Sequence, residues 1–379
     1  MIPPEPNQDD SLPPRAPSAE IMVEAFASSV RLTRNRSPTV LDLLASNAKS
    51  LWKLKLYKAP DFLATSLVHA LQNNTTVTTV DVTWTFLRNF HETDRVLILK
   101  AIGQLTNLEN LTLEVVGPTC ILTVALQNAT NLKSLSVGKL RFATNQDVTA
   151  LSQSLCNCQE LQQLSLSSIQ ILVQGNHVLG DDGMVRFLET EDQRPTKKIV
   201  LDPLLESMAD LPRLAHIRLQ HYLHGKKIQS ISQKSLRALC HAPRESLIFN
   251  ACGLVDEHCT ALADELVSPR ASPTLSILVV SRNYRITSSG WDSLINMLKG
   301  NYTIVDFHTG DVLQINEPSP EQKFKIAHFL KLNMAGRGKL LTDVSGASRD
   351  AWVNFLIKGR DDLDLLVYAL QTNPSLCQF

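Results

Sequence analysis

The residues best suited to gripping a ligand lie near the C-terminus, where "LNMAGRGKLL" (Leu332 to Leu341) contains a Gly-x-Gly-Lys run. A phosphate loop needs Gly-x-x-x-x-Gly-Lys-Ser/Thr after a buried strand, so that backbone amides ring the phosphate and the hydroxyl holds magnesium. Asn333 stands where the first Gly belongs, and Leu340 replaces the hydroxyl residue. Upstream, "PEQKFKIAHFLKLNMAG" spaces Phe324, Ile326, Ala327, Phe329 and Leu330 as a helix does, which predicts Gly336 as that helix's stop. Cys156-Asn-Cys158 lacks the Cys-x-x-Cys spacing of zinc or redox sites, and Cys240, His241, Cys252, His258 and Cys259 read as helix packing rather than a ligand set. Gly180-Asp181-Asp182-Gly183 is too short for a calcium loop. Neither Gly-x-Ser-x-Gly nor His-Glu-x-x-His occurs, and His216, His221 and His224 gather around a strand and its connection without ligand spacing. No catalytic, cofactor-binding or metal residue is assigned, and no cofactor is expected.

Lys plus Arg equals Asp plus Glu, 37 of each in 379 residues, so no overall field recruits nucleic acid or an anionic membrane. The start, "MIPPEPNQDDSLPPRAP", has Pro and acid where a secretory signal needs a basic residue and an apolar core. No apolar run approaches the roughly 20 residues that cross a bilayer. The seven cysteines are scattered and mostly in apolar stretches, as expected of reduced thiols in a cytoplasmic or nuclear protein.

The elements that would position any site come from a repeat. Leu-x-x-Leu-x-Leu, with conservative swaps, starts at Leu51, Val77, Leu108, Leu132, Leu161, Leu214 and Leu275; "RESLIF" from Arg244 and "YTIVDF" from Tyr302 are weaker copies. Counting the long gap between Leu161 and Leu214 as two units, the repeat is about 28 residues. Alternation within the motif predicts a strand with positions one, four and six in the core. Between motifs the spacing turns helical, over Asp61–Gln72, Asp94–Leu105, Gln146–Cys156, Asp256–Val267 and Thr287–Leu298, with Asp61, Asp256 and Thr287 as helix openers. Strand then helix, repeated, gives a parallel sheet on one side and helices on the other.

The expected organisation is a Pro-rich disordered stretch over 1–18, a helical N-terminal cap over 19–50, the repeats over 51–310 with an insertion near 170–202, and a helical C-terminal cap over 311–379.

At "LSILVVSRNYRITSSGWDSLINML" and "FNACGLVDEHCTALADEL", Asn283 and Cys252 both take the ninth motif position. The chain there resembles leucine-rich-repeat proteins of the ribonuclease-inhibitor-like class, which place Asn or Cys at that position. The tail, with "FLKLNMAGRGKLL" and "LQTNPSLC", is similar to the C-terminal block of diatom and algal members. The resemblance implies an α/β leucine-rich-repeat solenoid, a curved parallel sheet with outer helices and helical terminal caps. It also implies that positions three, five and seven project from the concave face.

Those positions give Lys53, Lys55, Asp81, Asn110, Thr112, Glu114, Gln163, Ser165, His216, Arg218, Gln220, Asn250, Asp306 and His308 as partner-binding candidates, among Ser134, Ser136 and Ser167. Ile248, Ile277, Val279 and Ile304 make the later part more apolar. Such a sheet exceeds the roughly 800 Å² per partner of a standard interface. The expected function is therefore a non-enzymatic, monomeric scaffold that binds a protein, with no nucleic acid, membrane or small-molecule substrate. Two alternatives share the fold: a regulator of the Ran GTPase-activator type, with Arg218 or Arg282 acting in trans, and a ubiquitin-ligase substrate receptor. Since the motifs hold no phosphate loop and no zinc spacing, calorimetric titration with ATP is expected to show no micromolar binding, and the purified protein no one-to-one zinc; either one would overturn that expectation.

Overall fold

The computed structural model describes residues 40–49, 51–57, 62–114, 117–142, 144–171, 177–179, 185–187, 200–220, 231–310, 317–341 and 349–372. The candidate elements over 1–39, Asp61, the Gly180–Gly183 run, His221 and His224 lie outside them.

Apolar side chains at alternate positions make strands, and apolar side chains three or four apart make helices, so the two alternate along the chain. The first part runs α1 (Val40–Ala45), β1 (Lys53–Leu56), α2 (Ala64–Gln72), β2 (Thr79–Thr83), α3 (Trp84–Leu87), α4 (Glu92–Gly103), β3 (Asn110–Glu114), β4 (Gly117–Pro118) and α5 (Thr119–Leu126). The middle runs β5 (Ser134–Gly138), β6 (Leu140–Phe142), α6 (Asn145–Cys156), β7 (Gln163–Ser167), β8 (Gln170–Ile171), β9 (His177–Leu179), β10 (Val185–Phe187), α7 (Asp202–Asp210) and β11 (His216–Gln220). The last part runs α8 (Gln233–His241), β12 (Ser246–Asn250), α9 (Asp256–Val267), β13 (Ile277–Val279), α10 (Ser288–Gly300), β14 (Asp306–His308), α11 (Pro320–Ala335), α12 (Arg337–Leu341), α13 (Arg349–Gly359) and α14 (Leu363–Thr372).

Nine strands form one parallel sheet in the order β1-β2-β3-β5-β7-β11-β12-β13-β14. Successive helices from α2 onward pack beside one another, apart from the one-turn α3, and those up to α11 share a continuous apolar core with the strands. The chain is a leucine-rich-repeat solenoid closed by helices at its C-terminal end. β7 pairs directly with β11, so no strand lies between them in this sheet; β9 and β10 pair with each other, antiparallel.

The lateral registers align eight of the nine motif frames as the sequence spaces them: Leu54, Val80, Leu111, Leu135, Leu164, Ile217, Leu247 and Leu278 stand side by side at position four. Each is buried. The ninth frame is corrected. Phe307 lies beside Leu278, so the last motif starts at Ile304 and not at Tyr302. Ile304 is therefore a fully buried first-position residue rather than part of the open face, and Val305 is only half-buried. Its sixth position is Thr309, which breaks the apolar pattern in the sequence.

Position eight carries a second regularity. Lys139, Ser168, Ala251 and Arg282 all occupy it, and all have φ between 52° and 59°, the left-handed turn that ends the strand. At position nine, buried Asn283 donates to the carbonyls of Val280, Phe249 and Ser281 at 2.8, 2.9 and 3.1 Å and accepts from the Leu254 amide at 3.1 Å. The smaller Cys252 donates its thiol to Leu219 O at 3.3 Å. Both turns thus lose few backbone partners on burial.

Arg244, at the first position of its motif, is fully buried where its neighbours have Leu. Its guanidinium donates to the carbonyls of Met208 (2.6 Å), Ala209 (3.1 Å), Leu211 (3.2 Å) and Leu214, and burial pushes its pKa down to about 10. Asp256 is the first residue of α9 rather than its N-cap, which is Val255. Its carboxylate instead accepts from the amide and hydroxyl of Thr287, at 2.7 and 2.5 Å, where α10 begins. Asp202 treats the start of α8 in the same way, accepting from Ser232 N at 3.0 Å and Ser235 Oγ at 2.7 Å.

The Gly-x-Gly-Lys run belongs to the C-terminal helices. Ser319 and Gln322 form a capping box at the start of α11, and Gly336 ends it in the left-handed region, φ 97°. Asn333 donates to Ile304 O at 2.7 Å and Asn301 O at 3.1 Å. Arg337, 2% exposed, donates to Asn333 Oδ1 (2.7 Å), Leu298 O (2.8 Å) and Asn301 O (3.3 Å), between the rings of Tyr302 and Phe329. Lys339 lies on α12, with its side chain outside the described residues. A second apolar cluster, with Leu332, Leu340, Trp352, Phe355 and Leu365, fills the space between α11 and the last helices. Replacing Arg337 with Ala removes the donor to Leu298 O and Asn333 Oδ1 and is expected to cost about 3 kcal/mol, read as a lower unfolding midpoint in denaturant. Ending the chain at Gly310 should expose the final layer, including Phe307, and abolish cooperative melting; a soluble, cooperatively melting truncation would show that these helices do not close the solenoid.

Candidate interaction face

The helices cover one side of the large sheet and leave the other open. Lateral pairing lines up equal motif positions, so the open side carries three rows. The third-position row runs Lys53, Thr79, Asn110, Ser134, Gln163, His216, Ser246, Ile277 and Asp306. The fifth-position row runs Lys55, Asp81, Thr112, Ser136, Ser165, Arg218, Ile248, Val279 and His308. The seventh-position row includes Glu114, Ser167, Gln220 and Asn250. At about 4.8 Å per strand the rows reach roughly 38 Å across the sheet.

All fourteen candidates named from sequence fall in these rows, exposed or half-buried. Thr79 and Ser246 belong there too, although Ser246 is 4% exposed. The half-buried Ile248, Ile277 and Val279 also stand on this face. Those three are missing from a list drawn up by polar residue type, but their motif positions alone identify them.

Charges on the face are mostly answered nearby. Lys53 pairs with Asp81 at 3.3 Å, His216 meets Glu245 at 3.6 Å, and His308 meets Asp306 at 2.8 Å. Lys55 Nζ sits 5.9 Å from the Tyr57 ring centroid. Arg218 is exposed and, among the described residues, donates only to the amide oxygen of Gln220, at 3.3 Å. Asn250 Oδ1, shielded from solvent, has no donor among the described residues.

The remaining chemistry-bearing residues are dispersed in the core and on the helices. Burial pushes the thiols of Cys158, Cys240, Cys252 and Cys259 up to about 12, so they remain protonated. Cys156 is exposed, and the side chains of Cys120 and Cys377 lie outside the described residues. His258 is buried at the start of α9, accepting from the Val255 amide at 3.1 Å and meeting Ile231 O at 2.7 Å; His241 meets Glu265 at 2.5 Å on the helical side. Among the described residues, no three His, Cys, Asp or Glu side chains are placed to hold a metal, and no helix is long and apolar enough to cross a membrane.

No protein-family model and no curated protein matches the chain. Among solved structures, a chain from the crystal structure of the Rad7 and Elc1 complex in yeast is 13% identical, with a TM-score of 0.45, over 83% of this chain and 69% of its own. An internalin (inlF) from Listeria monocytogenes str. 4b F2365 is 15% identical, with a TM-score of 0.33, over 73% of this chain and 71% of its own. Neither likeness bears on what the face binds.

Reversing charge at Lys53 and Lys55, or replacing Arg218 and Gln220 with Glu, should shift stability by no more than about 0.5 kcal/mol and leave far-UV circular dichroism unchanged. Ile304→Asp buries an unpaired charge and should cost about 3 kcal/mol or more, whereas Val305→Asp should cost much less. The reverse order would restore the frame that starts at Tyr302.

Proposed function

We propose that this chain is a non-enzymatic interaction protein that holds another protein on the open face of its sheet. The observation that carries this is a parallel sheet of nine strands whose open-side rows, apart from the buried Thr83 and Ser246, are exposed or half-buried among the described residues. Side chains on a paired strand lose little further freedom on binding, which lowers the entropic cost of recognition. Ser, Thr and Asn in the middle strands keep the floor low enough for close approach. A net charge of zero gives no sequence-independent attraction to a phosphate backbone, which favours a protein partner over nucleic acid. The free thiols of Cys158, Cys240, Cys252 and Cys259 in the core suit a reducing compartment, cytoplasmic or nuclear.

The test compares captures from the native cell by wild type, by a Lys55→Glu/Arg218→Glu variant of the face, and by a Lys234→Glu/Lys325→Glu variant of the helical side. Wild type and helical-side variant should hold the same protein stoichiometrically, and the face variant should lose it about tenfold or more. Loss caused by the helical-side variant alone, or no stoichiometric protein with any of the three, would refute the proposal.

A further inference from the structure

The open face is not uniform, and its unevenness says what kind of protein segment fits it. From β1 to β7 the rows carry lysine, acid, amide and hydroxyl side chains. From β12 to β13 the same rows carry Ile248, Ile277 and Val279, an apolar island on an otherwise polar floor. Arg218 lies directly beside Ile248 in the fifth-position row, and His308 beside Val279 on the other flank. His308 already has Asp306, whereas Arg218 has only a neutral amide oxygen. Asn250 ends the strand that carries Ile248 and faces the same side, with its Oδ1 lacking a donor.

The geometry points to an extended peptide segment of a partner protein, with an aliphatic or aromatic side chain seated on Ile248, Ile277 and Val279 and a nearby carboxylate paired with Arg218. This rests on the interaction function proposed above and narrows it to β11–β14. An apolar side chain shields the island from water, and the desolvated edge strengthens the adjacent Arg–carboxylate pair. A peptide amide supplies the donor that Asn250 Oδ1 lacks once its side chain turns outward. The small hydroxyl residues of β5 and β7 offer area but no comparable anchor, since binding energy concentrates where apolar or aromatic groups and Arg are enclosed together.

The probe is a phage-displayed library of random peptides selected on the full chain. Enriched peptides should share an aliphatic or aromatic residue within one or two positions of Asp or Glu. The Ile248→Ser/Val279→Ser variant should weaken a synthetic copy of such a peptide about tenfold. Arg218→Gln, at an exposed position that does not threaten folding, should weaken the same peptide about fivefold while leaving its Asn-for-Asp or Gln-for-Glu analogue unchanged. The helical-side Lys234→Glu/Lys325→Glu variant should bind as wild type does, and a Lys55→Glu/Thr112→Glu variant of the polar end of the face should weaken the peptide less than either island variant does. Peptides lost only with the Lys55→Glu/Thr112→Glu variant would overturn the island while keeping the face as the recognition surface. No enrichment, or enriched peptides indifferent to every variant of the open face, would overturn both.

Discussion

A helix of a stacked repeat ends in carbonyls that its own turn satisfies only in part, and here the next repeat supplies further donors. Leu44 O at the end of α1 receives Asn74 Nδ2 at 2.8 Å, and Leu266 O at the end of α9 receives Asn301 Nδ2 at 2.8 Å. Met208, Ala209 and Leu211 at the end of α7 receive Arg244, and Leu298 near the end of α10 receives Arg337. A made hydrogen bond contributes about 1 kcal/mol net, but a buried carbonyl left unmade costs about 1–3 kcal/mol. The penalty for a slipped stack therefore exceeds the gain from a correct one, which is what makes the stacking specific.

That specificity reaches the far side of the sheet. Asn74 also accepts from the amides of Thr76 and Val77, at 3.1 and 2.9 Å, so the residue that caps one helix also aims the strand that follows. Asn301 does the same for Thr303 and Ile304, both at 3.0 Å. Once each strand starts at the same height, equal motif positions fall in line, and the open face becomes ordered rows rather than a scatter of side chains. The carboxylates of Asp202 and Asp256 hold the opposite ends of adjacent helices together. The face is stiff because both ends of these repeat junctions are pinned.

The strand frames were readable wherever Leu, Ile or Val fills positions four and six, because period-two burial leaves few other arrangements. The last frame misled because Thr309 stands at its sixth position while Val305 and Phe307 mimic the expected pair two residues too early. Arg244 looked like a missing apolar residue; nothing local in "RESLIF" shows that its guanidinium meets carbonyls some thirty residues earlier in the chain. The same limit hid a second role of Asp256, which opens α9 and also holds Thr287 of the next repeat. On the open face, parity alone identified the polar positions. Contrast between strands is a two-dimensional property, so Ile248 and Val279, 31 residues apart in sequence, become neighbours only when β12 lies beside β13.

Electrostatics explains why the most ligand-like stretch of this chain binds itself. Arg244 and Arg337 are buried cations whose acceptors are backbone carbonyls, with an Asn amide oxygen added for Arg337. Burial lowers both their pKa values. A helix C-terminus carries roughly half a unit of negative charge, spread over unpaired carbonyls, and a planar guanidinium can meet several of them at once. An ammonium group could not span the same set, so Lys at either position would leave carbonyls stranded. Arg337 is thus unable to face a phosphate: turning it outward would leave Leu298 O and Asn333 Oδ1 without its donors and break the seam between the last repeat and the helices beyond it. Arg218 has the same chemistry without that constraint. It projects from a strand paired on both sides, and among the described residues it meets only the amide oxygen of Gln220, which leaves the guanidinium able to turn to the carboxylate proposed above.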